Sequence, residues 1–434
     1  MKALVYSGVG TLNNDLIIHP CRMKMKVSSN NTLFFRSFTM LLVLTIALSG
    51  ISTITTIAAA SPTTKSSSIG SSSPTFEITD NLKQLIRTLV DNKTNAAMVI
   101  GLVDANGTQF YGYGKTSNAS NATTVNENTL FDIGSITKTF TTTILADMVN
   151  NGTVKLDDPI EKYLPPTVRV PTYNGNKITL EDLATHTSGL PDYPPRVSNF
   201  TNIISEIMYP STRQLLYESL SNITLTSAPG SNYSYSDMGM ALLGDILASK
   251  ADIPYEQLVI DKILNVLGMN STRITLADNI LLSRLASGHL NSTEIPPALP
   301  NPAFPLGLAP AGSLHSSASD LVKYLSANMG LVKTILDDAM QDSHKIRLYT
   351  NQSGVEGYDV YIGLGWFTTT NFGSQIIWHN GEVLGYNAFA GFNPTTQRGV
   401  VILASTMIQG IDVANIGFGP HDQLSNMIWD LLLN

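Results

Sequence analysis

Ser135 and Lys138 stand three residues apart in the stretch Phe131-Asp132-Ile133-Gly134-Ser135-Ile136-Thr137-Lys138. If the chain is helical from Ser135 onward, the hydroxyl and the amine share a face one turn apart. A serine hydroxyl is a weak nucleophile until a neighbour takes its proton, and a lysine at that distance can do so. No other lysine in the chain has a serine three positions before it. The bare tetrad is common by chance in a serine-rich chain, so its meaning depends on what lies elsewhere. Two further polar clusters occur. Tyr235 and Asp237 fall in a loop, 229–237, ahead of a helix expected over 238–250. A loop phenol can shuttle a proton; equally, Tyr235 can pack at a helix entry with Asp237 as its N-cap. His379, in Trp378-His379-Asn380-Gly381, is expected at the end of a strand, with Glu382 to Gly385 leading into the next; a histidine so placed is either structural or a proton-transfer group.

The elements that must hold these groups can be read from periodicity. Gly134 permits a tight turn before the serine. Phe140, Ile144, Leu145, Met148 and Val149 form a helical stripe, and Gly152 stands where a C-terminal cap belongs. Upstream, Leu82, Leu85, Ile86, Leu89 and Val90 predict an amphipathic helix behind Thr79 and Asp80. Strands are expected at 97–103 and 109–113 around Asp104-Ala105-Asn106-Gly107, a hairpin turn. Residues 155–345 read as mostly helical, as in Tyr255, Leu258, Val259, Ile263, Val266 and Leu267 before Gly268, with Pro-rich loops at 165–166 and 295–310. From Tyr361 the period shortens, giving strands at 363–367, 375–378, 386–392 and 399–404, and a closing helix at 423–433. Strands at both ends with helices between imply an α+β fold: one antiparallel sheet built from N- and C-terminal strands, flanked by helices, with a mostly helical lobe inserted. That arrangement brings residue 135 near residue 379.

With 434 residues the chain has room for one large enzyme-sized unit with two lobes, or for two domains. Charged residues are 14%, against about a quarter in an ordinary domain, and the formal net charge is −7. No basic run exists that could neutralise a line of phosphates, which disfavours nucleic-acid binding. Arg36 precedes an apolar run at 40–48 and then Ala58-Ala59-Ala60-Ser61, the pattern of an export signal with a small-residue cleavage site. The stretch 40–60 is also about long enough to span a bilayer, so an uncleaved anchor is the alternative, and the only membrane contact expected. Residues 1–22 look like a start-site artefact, because Met23 or Met25 would give a conventional signal. Residues 61–75 read as a Ser/Thr-rich spacer and 76–434 as the folded domain. Cys21, the sole cysteine, lies upstream of the signal, so the mature chain needs no disulfide. Asn-x-Ser/Thr triplets begin at Asn92, Asn106, Asn118, Asn121, Asn151, Asn199, Asn222, Asn232, Asn270, Asn291 and Asn351, as a secreted glycoprotein would carry.

Ser-x-x-Lys at 135, Tyr-x-Asp at 235 and His-x-Gly at 379 resemble, in that order, the three active-site elements of the penicillin-recognising serine hydrolases. The likeness is to the branch holding class C β-lactamases, D-Ala-D-Ala carboxypeptidases, D-aminopeptidases and esterases. Supporting segments match too: 183–191, which contains His186; 239–247; Leu267-Gly268-Met269; and Pro310-Ala311-Gly312-Ser313 before Ser319-Asp320-Leu321. The resemblance covers about residues 80–430. It implies a β-lactamase/transpeptidase-like fold in which Ser135 attacks a carbonyl and is acylated, Lys138 and Tyr235 transfer protons, and Lys138 with His379 steadies a Tyr235 phenolate. It also implies that Asp237, Asn380, Gly381 and Glu382 bind substrate, with the N–H groups of Ser135 and Glu382 as oxyanion hole, and that His186 is structural. No metal or organic cofactor is implied, and the partner is a small-molecule or short-peptide substrate; oligomeric state is not legible. Asp237 departs from the Asn of the amidase members, which weakens a β-lactamase assignment and either pairs with Lys138 or favours cationic or ester substrates. Other readings are a true β-lactamase and a non-catalytic, glycosylated surface protein that keeps the fold. A Ser-His-Asp hydrolase is disfavoured by the lack of a Gly-x-Ser-x-Gly elbow.

Overall fold

The computed structural model describes residues 76–92, 97–195, 213–290, 293–294, 306–352, 355–371, 373–406 and 413–434. The expected export segment, the spacer, Cys21, Asn199 and Asn291 lie outside these residues. The first helix, α1 (Asp80–Asp91), begins where Thr79 accepts a hydrogen bond from the Leu82 N–H, and it buries Leu82, Ile86 and Val90 along one face. β1 (Met98–Asp104) and β2 (Gly107–Tyr113) form the expected hairpin, with Asp104 paired to Gly107 across a two-residue turn. β3 (Phe131–Asp132) leads into a 3₁₀ turn, Gly134–Ile136, and then α2 (Thr137–Asn150).

The regular elements of the described middle of the chain are mostly helices joined by long loops. It holds α3 (Leu180–Ala184), α4 (Arg213–Asn222), α5 (Asp237–Ala251), α6 (Tyr255–Val259), α7 (Asn265–Leu267) and α8 (Asn279–Leu282). After the small pair β4 (His289–Leu290) and β5 (Thr293–Glu294) come α9 (Ala309–Gly312), β6 (His315–Ser316), α10 (Ala318–Asn328) and α11 (Asp337–His344). The chain then runs through β7 (Leu348–Tyr349), β8 (Asp359–Ile362), β9 (Phe367–Asn371), β10 (Ser374–Val383), β11 (Tyr386–Asn393) and β12 (Arg398–Ala404) to α12 (Gln423–Leu433). Among the described residues no helix is long and apolar enough to cross a membrane.

The early hairpin and the late meander share one sheet, in the order β2-β1-β12-β11-β10-β9-β8-β7, with β1 antiparallel to β12 from Met98↔Ala404 to Val103↔Gly399. Both faces of this sheet are covered, which explains why its central strands are apolar runs rather than alternating ones. Along β1, Val99 and Val103 enter the core shared with α2, α5 and α10, whereas Met98, Ile100 and Leu102 enter the core beneath α1 and α12. The fold is therefore α+β as expected, with a large antiparallel sheet between helical layers.

Four local expectations need correction. Residues 363–366 are a turn, because Gly365 adopts φ +69° and a Cβ there would stand 2.6 Å from the Thr142 Oγ1; the strand begins at Phe367. His379 does not end a strand: β10 continues to Val383, since β11 pairs with it as far as Val383↔Tyr386 after its β9 partner stops at Trp378. Ser236, not Asp237, is the N-cap of α5, accepting from the Gly239 N–H at 2.8 Å. Finally, α2 is buried nearly all round rather than along a stripe. Its threonines tolerate this because Thr139, Thr142 and Thr143 return their hydroxyl hydrogens to the carbonyls of Ile136, Lys138 and Thr139, so no donor is stranded.

Candidate active site

The turn that carries Ser135 is pressed directly against the half of β10 that has no β9 partner. Gly134, at φ +50°, lies so close that a Cβ would be 3.0 Å from the Glu382 nitrogen, and a Cβ on Gly381 would be 1.9 Å from the Ile133 carbonyl oxygen. Only glycine at both positions lets the two backbones meet. The contact brings the Ser135 N–H, in the first turn where N–H groups lack intrahelical partners, to the edge of β10 beside Glu382.

Lys138 follows one turn later and is fully buried. Its Nζ donates to the Ser135 Oγ at 2.8 Å and to the Ala311 carbonyl oxygen at 2.6 Å, and lies 2.6 Å from the Asp237 Oδ1. The Asp237 contact lacks hydrogen-bond alignment, so it counts as an ion pair. Three acceptors thus surround a group with three N–H bonds. Burial lowers the lysine pKa, and the Asp237 charge opposes that shift without cancelling it.

Tyr235 is positioned from behind by His186. The His186 carbonyl accepts from the Ser234 N–H at 2.7 Å, its Nδ1 accepts from the Ser236 N–H at 3.1 Å, and its ring stacks on Tyr235 with centroids 4.5 Å apart. His186, buried and in a left-handed conformation at φ +57°, is thus the structural histidine that was expected. The Tyr235 phenol shares a hydrogen bond with Ser135, and the Lys138 Nζ lies 4.8 Å from the centre of its ring. Burial pushes the phenol well above its usual range and the Asp237 carboxylate pushes it further, outweighing the Ser135 hydrogen bond. Both effects disfavour the expected phenolate, because a carboxylate beside a desolvated phenol penalises its anion.

His379 is also buried, at the centre of β10. Its Nδ1 lies 2.6 Å from the Asn380 carbonyl oxygen, which can only accept, so Nδ1 carries the hydrogen and Nε2 a lone pair; that Nε2 has no hydrogen-bond partner. Burial, then the Lys138 charge, hold its pKa down to about 3. The neutral imidazole is thereby favoured, which leaves His379 little charge with which to steady a Tyr235 phenolate. Asn380 is half-buried, Gly381 makes the backbone contact described above, and the Glu382 side chain is exposed. Among the described residues no cluster of His, Cys, Asp or Glu is arranged to hold a metal ion.

Two residues of the site were not foreseen. The Asp192 Oδ1 accepts from the Asp237 N–H at 3.2 Å and its carbonyl from the Met238 N–H at 2.8 Å, so the segment after Pro191 clasps the start of α5. The Tyr193 phenol hydrogen-bonds the Asp237 side chain. Asp192 keeps an exposed face, yet packing around its carboxylate and the Asp237 charge raise it to about 6. The available signal was an acid following a proline immediately after the His186-Thr187-Ser188-Gly189 segment.

A family model described as Beta-lactamase matches residues 82–414. The D-alanyl-D-alanine-carboxypeptidase/endopeptidase AmpH of Escherichia coli strain K12 is 32% identical over 279 residues, which cover 62% of this chain and 68% of that protein. A β-lactamase of Pseudomonas fluorescens is 29% identical over 287 residues, 65% of this chain and 72% of that one. In fold, the chain is similar to a crystal structure of a β-lactamase/D-alanine carboxypeptidase from Pseudomonas syringae, with a TM-score of 0.64 at 24% identity over 81% of this chain and 98% of that chain.

Proposed function

The chain belongs to the β-lactamase family and is a serine hydrolase of that family, and from that premise we propose that it acts through an acyl-enzyme on Ser135, cleaving an ester or a D-amino-acid peptide. The observation that carries this reading is the 2.8 Å contact between the Lys138 Nζ and the Ser135 Oγ, made by a lysine that is fully buried and destabilised as a cation. Lys138 as a neutral amine takes the Ser135 proton while Oγ bonds to the substrate carbonyl carbon. The Ser135 and Glu382 N–H groups receive the developing oxyanion. As the carbon–leaving-group bond breaks, the protonated Tyr235 phenol gives its hydrogen to the leaving group and regains one from Lys138. Water then repeats the sequence on the acyl-enzyme, and Ser135 leaves with its proton restored.

Asp237 in place of an amide donor weakens a β-lactamase assignment, and β-lactam hydrolysis is the second reading, supported by the likeness to the Pseudomonas fluorescens enzyme. The test is to incubate the protein from about residue 76 with a nitrophenyl ester, a D-alanyl anilide and a fluorescent penicillin, alongside Ser135→Ala. Ester or anilide turnover lost in Ser135→Ala is expected. Labelling by penicillin without turnover would redefine the protein as a penicillin-binding peptidase, and silence with every probe would leave only the non-catalytic binding role.

Export follows from the apolar run at 40–48 and the Ala-rich site behind it, and glycosylation from the acceptor triplets. Asn92, Asn106, Asn118, Asn121, Asn151, Asn222, Asn232, Asn270 and Asn351 are all exposed, as a glycan requires. Secretion of a protein whose mass falls on glycosidase treatment is the expected result; retention in the cytosol would exclude both.

A further inference from the structure

The charge arrangement of the cleft bears on which substrates it takes. Among the described residues Lys138 is the one cation acting electrostatically on His379 and Asp192, and its Nζ already faces Ser135, Ala311 and Asp237. It has no donor left for a substrate carboxylate. His379 cannot supply one either: its hydrogen is committed to the Asn380 carbonyl, and its buried, unpartnered Nε2 is an acceptor that asks for a donor from whatever lies beside it. Next to Asp237, Asp192 spends one oxygen on the Asp237 N–H and keeps an exposed face. Among the described residues, two carboxylates stand against one lysine and an acceptor-only imidazole here, and Asp192 is the carboxylate that reaches solvent.

We infer that this cleft selects substrates bearing an ammonium or other cationic group near the scissile carbonyl, with Asp192 as the residue that takes the charge, and that it discriminates against a free carboxylate there. This deepens the acyl-transfer reading and rests on it. Asp192 is a specificity residue in this role and takes no part in proton transfer. A peptide whose scissile bond adjoins a free carboxylate brings a like charge towards the exposed Asp192, whereas an aminoacyl ester or amide brings the opposite one.

Two matched series test this. In one, p-nitrophenyl esters carry a neutral acetyl, a cationic D-alanyl or an anionic succinyl acyl group; in the other, acetylthiocholine is compared with acetylthioglycolate. Expected is a kcat/KM for the cationic member at least about tenfold above the anionic one in one series or both. The ratio falls several-fold between low and 0.5 M salt, where screening is short-ranged. Asp192→Asn, which keeps an oxygen for the Asp237 N–H, collapses the ratio, and Asp192→Lys inverts it. Equal rates or an anionic preference in both series, with the neutral ester still cleaved in a Ser135-dependent way, would overturn the inference and leave the hydrolase standing. No Ser135-dependent cleavage of the neutral esters would remove both.

Discussion

The Lys138 Nζ and the Asp237 Oδ1 lie 2.6 Å apart with almost no solvent on either side chain, so the candidate base of this site carries its own counter-ion. Removing one member of such a pair strands the other in a medium that cannot solvate it. Asp237→Asn is therefore expected to destabilise the protein by roughly 3 kcal/mol in urea titration. It also lets Lys138 lose its proton more easily, so the acidic limb of the pH–kcat/KM profile moves to lower pH. An unmoved acidic limb would mean that Lys138 is not the group titrating there.

Lys138→Met tests the same pair from the other side. Acylation is expected to fall by at least about a thousandfold, as loss of the partner base does in other serine nucleophiles. Stability falls too, because Asp237 is left buried beside Asp192. Near-normal acylation of a folded Lys138→Met variant would transfer the base role elsewhere.

A protonated Tyr235 makes a prediction that a phenolate does not. If the phenol protonates the leaving group, Tyr235→Phe costs little with nitrophenyl esters, whose anion leaves unaided, and much more with alkyl esters or anilides. If it instead removed the Ser135 proton, both classes would drop together. The ratio of kcat/KM across leaving-group pKa decides between them.

Gly381→Ala tests the contact that seats the nucleophile. The added Cβ has backbone 1.9 Å away, at the Ile133 oxygen, so β10 and the Ser135 turn must part. Activity is expected to drop by about a hundredfold, the penalty of an ångström-scale misplacement, while the far side of the sheet keeps its hydrogen-exchange protection. Full activity would show that the close approach is dispensable.

Three of the buried histidines bear on acid stability. His186, His344 and His379 are all held neutral by burial, the latter two down to about 3. The unfolded chain binds protons at each below about 6.5 and the folded chain does not, so stability is present above that pH and is lost as pH falls through it. Each histidine costs about 2 kcal/mol by pH 5, and the raised Asp192 recovers only part of this. The urea midpoint should fall steeply between pH 7 and 5; a flat response would contradict neutral burial.

Much of this protein could be read in linear order. Thr79, the spacing of Leu82, Ile86 and Val90, and the Asp104–Gly107 turn yield α1 and the first hairpin because caps, helical stripes and tight turns are local devices. The closing helix at 423–433 appears where its periodicity placed it. The strand through His379 ran longer than expected because β11 continues the pairing where β9 stops, and pairing is not local information. Asp192 and Tyr193 escaped notice for the same reason: their significance lies in touching Asp237, some 45 positions along the chain.

The order and types of Ser135, Lys138, Tyr235 and His379 were determined by the sequence alone, because a nucleophile, an amine, a phenol and an imidazole are named by their chemistry. Their charge states were decided only by the tertiary structure. Desolvation acts on Lys138, Tyr235 and His379 together, the neighbouring Asp237 further disfavours the phenolate, and the Lys138 charge helps to hold His379 neutral. Desolvation and the distance between charges exist only once the chain is folded, so the identity of the site was written in the sequence and its electrostatics were not.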